Sequence, residues 1–297
     1  MRFKLLFSAV LTLGVAVTGF ARDVVVTAEQ DLVPGTAAFS PMLDAAAERV
    51  LYSDLNGTML QMLDLAAGSV TDVARAADGG IDASWGADGS IFYVTREIRP
   101  NHLIYRTGHR YDPVTATSTV VLEAQHGAVL PERGTRGTAL NGKKSYRSNR
   151  DLGTSVAVSG STLIIEQNGT RREFTPVESE AGYLWPALSP DADKVAFVAA
   201  GKGLIVVDLD GNVLAQLGRQ YEFPSWLNND YLVAQNATDD GHQFLSSQIV
   251  VLSSDGAFSK AITRESSMTM QPSAAAGKIV YTTIDGRMKL VSVTITE

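Results

Sequence analysis

The sequence predicts an all-β chain folded as a six-bladed β-propeller of four-stranded antiparallel blades, with the last blade closed by an N-terminal strand. Three observations carry that expectation. A short pattern recurs, in which an apolar or aromatic residue and a polar turn precede a tight β-type triplet: Phe39 before Val50-Leu51-Tyr52, Trp85 before Ile91-Phe92-Tyr93, Leu188 before Val195-Ala196-Phe197, Trp226 before Tyr231-Leu232-Val233, and Ala274 before Ile279-Val280-Tyr281. Asp-Gly and Asn-Gly pairs, the two-residue hairpin signal, fall between strands within the units. The final unit holds three strands, while a β-rich segment near the N-terminus belongs to no other unit. Several short strands per unit, repeated every few tens of residues, mark a propeller or a β-solenoid.

Taken in chain order, residues 1–21 read as a secretory signal. Arg2 and Lys4 give a positive start, Leu5 to Val17 is almost unbroken apolar sequence, and Gly19-Phe20-Ala21 offers small residues for cleavage. The apolar run is short for a membrane-spanning helix, which needs about 20 residues. Residues 22–297 then form a single propeller domain, opening on Asp23-Val-Val-Val-Thr27 as the closing strand.

Residues 38–74 hold the first unit, with Asn56-Gly57 between strands, and residues 81–123 the second, with Asp88-Gly89 at its first turn. Centres of the second strands fall at residues 51, 92, 157, 196, 232 and 280, giving gaps of 41, 65, 39, 36 and 48. The 65-residue gap is read as an insertion at about 124–142, a stretch without the β-branched alternation of a blade. The third unit is recognised by Ser155 to Glu166 and Asn168-Gly169. The fourth, Tyr183 to Gly218, is the clearest, with Pro190-Asp-Ala-Asp-Lys194 as its first turn and Asp210-Gly211 before its last strand. Residues 221–263 make the fifth, with Asp255-Gly256, and the remainder the sixth.

The fourth unit reads Leu188-Ser-Pro-Asp-Ala-Asp-Lys-Val-Ala-Phe197 and then Ile205-Val-Val-Asp-Leu-Asp-Gly211. This resembles the repeat of the periplasmic TolB propeller family, a Ser-Pro-Asp-Gly-Lys type turn, a short apolar strand and an Asp-x-Asp-Gly hairpin; Ala192 stands where the turn glycine is usual. The resemblance spans residues from about 38 to 297 and is sharp in one blade. It implies a six-bladed propeller in the bacterial periplasm or exterior, without the N-terminal α/β domain of TolB itself. Relatives carrying the repeat include binding modules, peptidase propeller domains and oligogalacturonate-cleaving lyases, so the fold leaves the function open.

Composition narrows the classes. The chain contains no cysteine, which excludes disulfides, thiol nucleophiles, thiolate metal sites and lipidation at a cysteine. Without Arg2 and Lys4 the 25 basic residues become 23 against 32 acids, a net charge near −9 that disfavours nucleic acid. Gly-x-Ser-x-Gly is absent, so no hydrolase elbow is present. Three of the four histidines, His102, His109 and His126, lie close in sequence, but His102 and His109 flank a strand at odd spacing and point to opposite faces. Neither metal nor cofactor is expected, and no catalytic residue is assigned.

Residues 131–150 break the acidic trend, with Arg133, Arg136, Lys143, Lys144, Arg147 and Arg150 against one acid, Glu132. The segment leads into the first strand of the third blade, and first strands line a propeller's channel, so Arg136, Lys144, Arg147 and Arg150 are candidate ligand-binding residues for a carboxylate, phosphate or acidic glycan. Trp85, Trp185 and Trp226 recur at or near first strands. As stacking platforms all three could hold a sugar or peptide at the channel mouth, Trp85 and Trp226 being the candidate ligand-binding residues, with packing between blades as the competing role. The expected function is an exported, periplasmic or secreted, monomeric binding module for a protein, peptide or anionic small ligand at the channel mouth. The alternative is a lyase or hydrolase acting on an acidic polysaccharide.

Overall fold

The computed structural model describes residues 22–80, 83–86, 88–126, 147–148 and 153–296, with the backbone alone at 147 and 148. Six four-stranded antiparallel sheets follow one another, each formed by four strands from the channel outwards. Blade 1 comprises Phe39–Leu43, Arg49–Ser53, Met59–Asp64 and Val70–Arg75, and blade 2 Ser84–Trp85, Ile91–Ile98, Ile104–Asp112 and Thr117–His126. Blade 3 comprises Arg147–Ser148, Thr154–Ser159, Thr162–Gln167 and Thr170–Phe174, and blade 4 Tyr183–Leu188, Lys194–Ala199, Gly203–Asp208 and Val213–Gly218. Blade 5 comprises Tyr221–Trp226, Tyr231–Asp239, Phe244–Ser253 and Ser259–Ala261. Blade 6 takes Thr269–Ala275, Lys278–Thr283 and Met288–Thr296 from the C-terminus and Asp23–Leu32 from the N-terminus.

The closing strand pairs from Asp23↔Thr296 to Leu32↔Met288, with a bulge at Thr27, so it extends five residues past the segment that the sequence suggested. The last strand of blade 2 runs to His126, three residues into the stretch read as an insertion, because Ala124 to His126 continue its ladder opposite Tyr105 and Arg106. Residues 127–146 lie outside the described residues.

The core lies between blades, and the period of two along each second strand explains it. In blade 4, Val195 and Phe197 face blade 3 beside Val156, Val158, Leu163 and Ile165. Ala196 and Val198 face blade 5 beside Leu232, Ala234, Val250 and Leu252. Continuous apolar triplets therefore mark strands buried on both faces. The seam between blades 5 and 6 buries Val24 of the closing strand with Tyr231, Val251, Ile279 and Tyr281.

The first strands of blades 3, 4, 5, 6 and 1 touch in succession and line the channel. Because strands alternate in direction, all turns between first and second strands gather at one face. The hairpins between second and third strands gather at the other.

Candidate functional site at the channel mouth

Four first strands share one local device. In each, two residues stand opposite one on the second strand: Ser40-Pro41, Trp185-Pro186, Phe223-Pro224 and Gln271-Pro272. The first of each pair is left-handed, with φ of 50°, 49°, 50° and 54° respectively. Such bulges bend a strand and re-aim a side chain. Proline suits the second position because the bulge leaves it without a ladder bond to donate. The sequence signal for this device is the X-Pro dipeptide repeated at 40–41, 185–186, 223–224 and 271–272.

The re-aimed residues wall a cavity of about 860 Å³ at the face carrying the first turns, lined from blades 1, 2, 4, 5 and 6. Trp185 and Phe223, from adjacent blades, lie with ring centroids 4.1 Å apart and planes 31° from parallel. Both rings are half-buried. A left-handed conformation costs a non-glycine residue about 1–2 kcal/mol, and Ser40 and Gln271 satisfy the same bulge without a ring, so the backbone does not require aromatics at 185 and 223.

Bonds between blades hold the ring of first strands together. Ser273 Oγ accepts from Leu43 N at 3.1 Å, and Ser225 Oγ from Ala274 N at 3.0 Å. Where the position after the proline has no hydroxyl, a tryptophan in the next blade takes over. Trp85 Nε1 donates to the Met42 carbonyl at 3.1 Å, and Trp226 Nε1 to the Ala187 carbonyl at 2.9 Å. Trp226 is 5% exposed and packs in the seam between blades 4 and 5 while edging the cavity; Trp85 is half-buried on the cavity wall.

Charge on the described lining is internally matched. Arg49 Nε donates to Asp44 Oδ2 at 2.9 Å, and its guanidinium stacks 4.8 Å above the Trp85 ring. Asp44 also accepts from Glu48 N and Arg49 N, taking the place that Ser189 Oγ holds in the blade 4 turn. Asp88 receives the Ser90 hydroxyl and Arg110 Nη2, bonds that lower its pKa to about 2 against a partial desolvation cost. Lys194 and Lys278, equivalents of Arg49, donate to the carbonyls of Asn229 and Ala47 in the next blade. At the turn position of Ala192, φ is 59°, and at Ala47 it is 53°, so alanine occupies the conformation that glycine would fill more readily.

Of the residues singled out from sequence, Trp85, Trp185 and Trp226 line this cavity. Arg147 forms backbone pairing with Ala157 in the first strand of blade 3, and its side chain lies outside the described residues, as do Arg136, Lys144 and Arg150. His102 sits in the turn before the strand Ile104–Asp112 at φ 59°, and His109 lies on that strand, stacked 4.8 Å from Tyr93 with Nε2 2.8 Å from Thr95 Oγ1. Burial pushes the His109 pKa down. Among the described residues no three His, Asp or Glu side chains gather in a metal-like group, and no helix is long and apolar enough to cross a membrane.

No protein-family model and no curated protein matches the chain. Solved structures do. A Mitotic Checkpoint Complex crystal structure contains a chain matching at TM-score 0.59 and 10% identity, over 98% of each chain. A TolB-type protein of Agrobacterium tumefaciens matches at TM-score 0.52 and 15% identity, over 88% of this chain and 91% of that one. TolB of Acinetobacter baumannii matches at TM-score 0.49 and 17% identity; the match covers 86% of this chain and 55% of TolB, so this chain spans about half the length of that protein. At such identities the likeness is one of architecture, and the chain has the six-bladed, TolB-like propeller fold.

Proposed function

We propose that the chain is an exported binding module that takes its ligand in the cavity at the channel mouth. One observation carries this reading: Trp185 and Phe223, held in left-handed conformations on adjacent first strands, present half-buried rings to a cavity of about 860 Å³. Concave sites of some 300–1,000 Å³ with aromatic walls and a few polar groups are the usual form of ligand pockets. The cluster at Arg136, Lys144, Arg147 and Arg150 supports an anionic ligand by sequence alone. The described wall favours one recognised by stacking and neutral hydrogen bonds, since Arg49 is already paired to Asp44.

The test is a ligand screen by thermal shift on the parent and on a Trp185→Ala, Phe223→Ala double variant. A compound or peptide that raises the melting point of the parent but not of the variant places binding at the channel. Hits retained by the variant would move the site elsewhere on the molecule.

A further inference from the structure

The geometry points to a neutral saccharide as the ligand class of this cavity, a reading that rests on the cavity being the binding site. Two independent features narrow the chemistry. The first is the channel edge of the inner strands of blades 1 and 6, which is poorly suited to template an added peptide strand. Pro41, Pro186, Pro224 and Pro272 have no N–H. The neighbouring donors are consumed between blades: Ser40 N by Gln271 Oε1 at 2.9 Å, Gln271 N by Gln235 Oε1 at 3.0 Å, Leu43 N by Ser273, and Ala274 N by Ser225. Strand addition draws its affinity from main-chain bonds, and on blades 1 and 6 these donors are spent.

The second feature is a set of side-chain amides on the cavity wall. Each has its carbonyl oxygen committed to a backbone N–H, which orients the NH₂ group away from that bond. Gln271 Oε1 accepts from Ser40 N, Asn229 Oδ1 from Asp191 N at 3.1 Å, and Asn228 Oδ1 from Asp230 N and Tyr231 N. All three residues line the cavity, and their NH₂ groups have no partner among the described residues. Neutral amide donors suit hydroxyl and ring oxygens, and the Trp185–Phe223 face suits the C–H face of a pyranose. Arg49, the cation among the described residues of this wall, is held by Asp44 and by the Trp85 ring, which leaves it poorly placed to pair with a ligand carboxylate.

The experiment uses the purified protein, titrated by calorimetry and tryptophan fluorescence with cellobiose, maltose and N,N′-diacetylchitobiose. Digalacturonate serves as the charged comparator and uncharged tryptophan-containing tripeptides as the peptide comparator. Saturable binding of a neutral disaccharide is expected, weakened about tenfold or more by Trp185→Ala and by Gln271→Ala. Trp185→Tyr, which keeps a stacking ring, should retain most of it. Unchanged near-ultraviolet circular dichroism confirms that each variant is folded. Failure of every neutral sugar to saturate up to its solubility limit overturns the saccharide assignment, as does tighter binding of digalacturonate. If tripeptides bind instead and depend on Trp185, the saccharide assignment falls while the binding-module reading stands. If any ligand found is indifferent to both Trp185 and Phe223, the two fall together.

Discussion

The indole N–H of Trp226 in blade 5 donates to the carbonyl of Ala187 in blade 4 at 2.9 Å, and this bond does the work that a serine does at the two seams flanking blade 6. The residue after the bulge and the residue two places after the bulge are therefore chosen jointly across a seam: Ala187 with Trp226, Met42 with Trp85, Ser225 with Ala274, Ser273 with Leu43. Either the earlier blade supplies a hydroxyl acceptor for a backbone N–H, or the later one supplies an indole donor for a backbone carbonyl.

Replacing Trp226 by phenylalanine should cost about 1–2 kcal/mol, since the ring still packs but a part-buried carbonyl loses its donor. Alanine should cost about 3–5 kcal/mol by opening a cavity in the seam between blades 4 and 5. Trp226→Leu combined with Ala187→Ser imitates the Ser273–Leu43 seam and should recover about 1 kcal/mol relative to Trp226→Leu alone. Urea unfolding of the four variants measures this; equal midpoints for Trp226→Leu and the double variant would show the two arrangements are not interchangeable.

Such joint choices explain what the sequence disclosed and what it hid. Apolar triplets such as Val195-Ala196-Phe197 are buried on both faces, so the requirement is local and visible in five of the six blades. The role of Trp226 depends on the residue standing at 187, some forty positions away, and no window of sequence contains both. Closure was legible because Val24, Val25 and Val26 form a strand with no partner nearby in sequence. Of the aromatic wall, Trp185 was visible as a recurring tryptophan, but its pairing with Phe223 was hidden for a different reason. Trp185 and Phe223 precede prolines, where a straight strand would turn them by simple alternation, and the bulge breaks that alternation.

Truncating the chain through Thr27 should destabilise the whole propeller, because blade 6 loses the first half of its outer strand and the buried Val24 anchor. The ion pairs of the same strand should matter far less. Arg22–Asp255 at 3.1 Å and Lys260–Asp23 at 2.6 Å are exposed, and exposed pairs contribute little. Scanning calorimetry of the truncated chain and of Lys260→Ala tests the contrast; a truncation that melts within a degree or two of the parent would contradict the closing role.

Acid should act through two carboxylates whose pKa values are lowered to about 2, Asp88 chiefly by the Ser90 hydroxyl and Asp255 chiefly by the Ser253 hydroxyl. A carboxyl lowered in the folded state adds stability that is fully present above its ordinary value, near 4, and is lost as pH falls through the lowered one. These two groups should therefore leave stability flat from pH 5 to 7 and reduce it between about 4 and 2. Ser90→Ala and Ser253→Ala should each lower the urea midpoint at pH 7 and make the fall below pH 4 shallower. Parallel pH profiles for parent and variants would contradict the assignment.

Glu222 should respond with the opposite sign. Its carboxyl is pushed up, first by burial and then by the charge of Asp239. The folded state thus holds this proton more tightly than the unfolded chain does, so the stability tied to it is present at low pH and lost as pH rises from the ordinary carboxylate range through the raised value. Ionisation of Glu222 places a half-buried charge facing a like charge. Glu222→Gln should then raise the urea midpoint at pH 7, with the advantage shrinking as the parent is acidified toward pH 4. Asp239→Asn, which removes the like charge but not the burial, should recover part of the same gain. A Glu222→Gln protein less stable than the parent at pH 7 would mean that the carboxylate makes a favourable interaction that outweighs both causes.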